Sequence, residues 1–139
     1  MTTDNDDTRA FLPLAFGAGV IILAIMTVAA AKEFGWLDGS AAKRLVGVSI
    51  AAMLVLMGNY IPKAGFLQLF VDAPRKSLAR ADLMAGRILC LAGVVIIGVW
   101  AFAAIENAQL GAALIGLAAF FLAVASWLML KPTHTGEKS

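Results

Sequence analysis

The chain has 139 residues, 61% of them hydrophobic and 14% charged, against a charged share near a quarter in soluble domains. Its net charge of +2 makes no case for a nucleic-acid partner, and its single cysteine, Cys90, excludes an intramolecular disulfide. Apolar runs of about 18 or more residues read as membrane spans, so the expected fold is all-α, an integral membrane protein with no separate soluble domain.

The leader "MTTDNDDTRA" sets Asp4, Asp6 and Asp7 against Arg9 alone, the wrong charge for a signal-peptide n-region. The apolar run at 11–31 has 21 residues, too long for a signal h-region, and is read as a retained first span. Pro13 is tolerated near its start. The loop "KEFGWLDGSAAKR" follows, with Gly35 and Gly39 as turn points. A second span at 45–61 is near the lower length limit for crossing the hydrocarbon layer.

Residues 62–87 read as a loop between the second and third spans, apolar from Phe66 to Val71 and then basic. Asp72 suits an N-cap and Pro74 a first helical turn. In the helix expected after them, Lys76, Arg80 and Arg87 are spaced by four and seven and share one face. Together with Arg75 they would meet lipid headgroups or a partner protein. The same charges also satisfy the positive-inside rule on a merely solvated face.

The third and fourth spans, at 88–105 and 110–130, are joined by "ENAQ" and so form an antiparallel hairpin. The layout is two hairpins in a four-helix bundle, with short polar tails at 1–10 and 131–139. With four spans, eight of the 11 Lys and Arg fall on the side of the termini and central loop, and only Lys32, Lys43 and Arg44 on the other. This places both termini in the cytoplasm. Trp36 and Trp100 are expected at the outer interface, Tyr60 and Trp127 at the inner one.

The sequence argues against most chemistry. No Asp, Glu, Lys, Arg or His falls inside the four spans as drawn, which disfavours ion-coupled transport or a channel. Small multidrug resistance transporters carry an essential glutamate in their first helix, whereas "FLPLAFGAGVIILAIMTVAAA" has no acid. His134 is the only histidine, so neither haem ligation nor a metal site is expected. Ser49 and Ser126 lack a base to activate them. No catalytic residue and no cofactor is assigned. Small residues four apart, Ala15 with Gly19, Gly47 with Ala51 and Ala112 with Gly116, suit close helix packing within the chain or against a partner.

The stretch "MGNYIPKAG" remains. Asn59 can bond helix-end carbonyls, Tyr60 suits the interface, Pro62 should stop the helix, and Lys63 favours a helix C-terminus and headgroups. Taken together, "GNYIPK" at 58–63 resembles the glycine-asparagine-aromatic-aliphatic-proline-lysine signature of the SdpI-like family, small polytopic bacterial membrane proteins named for an immunity protein against a secreted peptide toxin. A proline (Pro74), a basic stretch and a glycine (Gly86) opening two further spans are similar in layout. The resemblance implies that Gly58, Asn59, Tyr60, Pro62 and Lys63 bind a membrane-active peptide or a partner protein. The alternative is a small accessory subunit of a larger membrane complex. The bilayer and a second copy of the chain complete the expected partners.

Overall fold

The computed structural model describes residues 4–64 and 75–130, with side chains from 12 to 63 and from 78 to 129. Four helices make up almost all of it: α1 (Asp4–Glu33), α2 (Gly39–Ala64), α3 (Arg75–Phe102) and α4 (Ile105–Leu130). Each is long and apolar enough to cross a membrane. A helix satisfies its own backbone groups where no water reaches, and the chain is a multi-pass membrane bundle.

The helices are longer than the apolar runs that suggested them. α2 takes in Lys43 and Arg44 at one end and Pro62 and Lys63 at the other. α3 begins at Arg75, so the basic stretch expected in the loop leading into the third span is the first half of α3 itself, continuous with the span. Asp72 and Pro74, its expected cap and first-turn residues, lie outside the described residues, as does His134. "ENAQ", expected as the connection between spans three and four, is helical. The turn falls at 103–104, and Glu106 sits in the first turn of α4, where a carboxylate complements the helix dipole.

The connection between α1 and α2 is built from local rules. Gly35 has φ of 73°, and the Gly35 and Trp36 amides donate to the carbonyls of Lys32 and Ala31 at 3.0 and 2.9 Å. This is a Schellman ending, which requires the left-handed conformation glycine adopts without cost. Three residues later Asp38 caps α2: its Oδ1 accepts from the Ala41 amide at 2.7 Å and from the Ser40 hydroxyl at 2.6 Å. The Ser40 hydroxyl and then the Ala41 amide hold the Asp38 carboxyl below its ordinary value, because both favour the charged form.

At the other connection the cap comes from a neighbouring helix. The last turn of α3 has no basic residue. Instead Arg44 of α2 donates from Nη1 to the Trp100 carbonyl at 2.6 Å and the Ala101 carbonyl at 3.3 Å. Carbonyls at a helix end lack intrahelical donors and carry partial negative charge, so a guanidinium is well matched to them.

Packing is closest between α2 and α3, where glycines remove the side chains that would hold the backbones apart. A Cβ on Gly58 would stand 2.6 Å from the Gly86 carbonyl oxygen and 2.7 Å from the Cys90 amide nitrogen. A Cβ on Gly93 would stand 2.6 Å from Val55 Cγ2 and 2.9 Å from the Ala51 carbonyl oxygen, and Gly47 lies directly under the Trp100 indole. Cys90 adds a thiol hydrogen bond of 3.2 Å to the Val55 carbonyl. Between lipid-solvated helices such close packing has to supply what the hydrophobic effect supplies in water. Ala51, Ile96, Trp100 and Ala108 form the buried centre.

Of the three small-residue pairs, Gly47 with Ala51 lies in this seam, and Ala112 packs against the buried centre. A Cβ at Gly19 or Gly116 would meet no neighbour within 4 Å, and Ala15 is exposed. Trp100, expected at the interface, is only 8% exposed, whereas Trp36 is 80% exposed. The roomy Gly47 position explains the difference, since it admits an indole between α2 and α3. α4 packs mainly on α3. α1 packs on α2 alone, with Gly17 against Leu56, and presents Leu12, Phe16, Leu23 and Met26 outward.

Candidate functional site

A proline within the last turn of a helix has a defined consequence. Pro62 has no amide hydrogen, so the carbonyl of Gly58, four residues earlier, loses its helical donor. That carbonyl lies against the Cα face of Gly86, an approach in which a Cα–H can partly replace the missing donor. The proline ring also rests on Gly86: a Cβ there would stand 2.7 Å from Pro62 Cγ. Pro62 therefore does not stop α2, which continues through Lys63 to Ala64. Gly58 and Pro62 instead act as one unit that brings α3 close at this end of the bundle.

That close approach leaves a groove of about 330 Å³ beside it, lined by Gly58, Asn59, Pro62 and Lys63 from α2 and by Leu83, Gly86, Arg87 and Cys90 from α3. Asn59, Lys63 and Arg87 are exposed. The groove thus offers an amide and two cations over a floor of glycine, proline and leucine. Such a surface can hold a carboxylate or phosphate while apolar groups pack below it.

Four of the five residues singled out in "GNYIPK" are brought together here, with Arg87 from the basic stretch. Tyr60 is half-buried but does not line the groove. Its ring centroid is 5.6 Å from Lys63 Nζ, within cation–π range, so it bears on the groove through Lys63. Arg80 is exposed and also outside the groove. Arg75 and Lys76 belong to the start of α3, and their side chains lie outside those described.

Asp82 was missed by sequence reasoning. It lies within the candidate span Leu78–Phe102 and is 2% exposed, which corrects the expectation that no span contains an acid. It borders a second cavity of about 350 Å³ between α2, α3 and α4, with Leu54, Met57, Leu89, Phe120 and Trp127. Its signal was present: Leu78, Asp82, Ala85 and Leu89 recur at four, three and four residues, the inward stripe of a helix. The stripe is visible only if the helix is carried back through the basic stretch. Among the described residues, no group of three or more His, Cys, Asp or Glu could hold a metal ion.

No protein-family model, no curated protein and no solved structure matches this chain.

Proposed function

We propose that the protein is a non-catalytic bacterial inner-membrane protein that acts by binding, and that the groove between α2 and α3 is where it binds. The reading rests on one observation: Gly58, Asn59, Pro62 and Lys63 share a groove with Arg87. The ligand class is a membrane-active peptide, or a membrane partner protein, that presents a carboxylate and apolar side chains at headgroup level. The role resembles that of SdpI-like immunity and signalling proteins, on the strength of "GNYIPK". The eight-to-three distribution of Lys and Arg supports cytoplasmic termini, which puts the groove on the cytoplasmic side.

The test is protection. Cells lacking the protein are challenged with envelope-targeting peptides, then complemented with wild type, Asn59→Ala or Lys63→Ala. The expected result is that wild type protects and both variants fail while reaching the membrane in equal amount. Full protection by both variants would remove the groove from the function.

A second reading is favoured by α1, none of whose apolar window is buried within the chain. A helix packed on a single neighbour suits an accessory subunit docking on a larger complex, and Ala15 and Gly19 would then be the sensitive positions.

A further inference from the structure

α1 contacts α2 but neither α3 nor α4, so one flank of the bundle is open. The opening is a groove of about 590 Å³ at the end of the bundle opposite Lys63, floored by Trp100 and Gly47 and walled by Val28, Val46 and Ile50. Lys32 from the last turn of α1 and Lys43 from the second turn of α2 stand at its rim. Both are exposed, and neither ammonium group makes a hydrogen bond or ion pair with another described residue. Arg44, the third cation of this end, is committed to the α3 carbonyls, and Asp38 to Ser40 and Ala41. Glu33 does not line the groove.

We infer that this groove is a binding site for an anionic phospholipid, with an acyl chain along Trp100 and the phosphate held between Lys32 and Lys43. The apolar walls fit a chain, since a gap beside an indole forfeits dispersion contacts unless something fills it. Charge selects the head: two ammonium groups brought to one groove from two helices, neither in an ion pair with a described residue, prefer an anionic headgroup to a zwitterionic one. The inference is independent of the function proposed for the α2–α3 groove, which is at the other end of the bundle.

Trp100 is the natural reporter. Trp36→Phe and Trp127→Phe together leave it as the sole indole. The double variant is reconstituted into phosphatidylcholine vesicles containing increasing fractions of brominated phosphatidylglycerol or of brominated phosphatidylcholine, whose bromines quench an adjacent indole. The expected result is half-maximal quenching at a fraction of the anionic lipid lower by on the order of tenfold. Adding Lys32→Gln and Lys43→Gln, both on exposed side chains, should abolish that preference while leaving the limiting quench intact, because the chain contact survives. Equal quenching by the two lipids, or a preference that persists without the lysines, overturns the inference. So does a Trp100 that neither lipid reaches, the outcome if a second copy of the chain closes the groove.

Discussion

Gly58 shows how one absent side chain fixes an interface. Its Cβ position is bounded by backbone atoms of Gly86 and Cys90, which cannot rotate away as the end of a side chain would. Gly58→Ala should destabilise the protein by about 1–3 kcal/mol, the usual cost of overpacking. Gly19→Ala and Gly116→Ala, where no neighbour is near, should change stability by less than about 0.5 kcal/mol. Thermal unfolding in one detergent would check all three. Asp38 is a residue-scale case with a pH signature. Its carboxyl is lowered by the bonds from Ser40 and Ala41, so the folded state favours the charged form. The stabilisation is complete above the ordinary carboxylate range and lost as pH falls through the lowered value. Asn caps a helix about as well, so Asp38→Asn should flatten the acid limb of the melting-temperature profile while matching wild type at neutral pH.

At the scale of elements, the ends of helices explain most of the difference between sequence and structure. Apolar runs mark the lipid-facing middle of a helix, but backbone hydrogen bonding continues into the polar flanks. Thus 45–61 belongs to a helix of Gly39–Ala64 and 88–102 to one of Arg75–Phe102, while Ile105, expected to end the third span, begins α4. The number of spans was legible because lipid demands long apolar segments. The buried Asp82 was not, because the basic stretch around it reads as solvated loop until the helix is extended. The α3 cap was also illegible, since Arg44 is 56 residues from Trp100. Arg44→Ala should cost about 1.5–3 kcal/mol, the range for hydrogen bonds from a charged group. Arg44→Lys should recover only part, because a point charge does not reproduce the guanidinium fork. Comparing the two variants in the same unfolding assay separates charge from geometry.

Over the whole molecule, the tight seam and the open flank define two different surfaces. α2 and α3 are locked by Gly47, Gly58, Gly86 and Gly93, which gives the groove beside Asn59 and Lys63 a rigid frame. Rigid walls favour binding because less ordering is lost when a ligand arrives. α1 is held by one neighbour only. "GNYIPK" lies in the α2–α3 seam, and for Gly58 and Pro62 the structure supplies a packing role that helix-capping rules did not anticipate. Arg87 joins the groove because α3 is continuous past Gly86, which the sequence boundaries hid.

We propose that ligand recognition occurs at the α2–α3 groove. It is tested most directly by placing a photo-crosslinking amino acid at Asn59 or, separately, at Ala15 on α1, and irradiating intact cells during peptide challenge. The expected result is a covalent adduct of the challenging peptide, or of one defined partner, at Asn59 that is lost with Lys63→Ala, and none at Ala15. Adducts at Ala15 with a constant large protein, and nothing at Asn59, would contradict it and make the protein an accessory subunit.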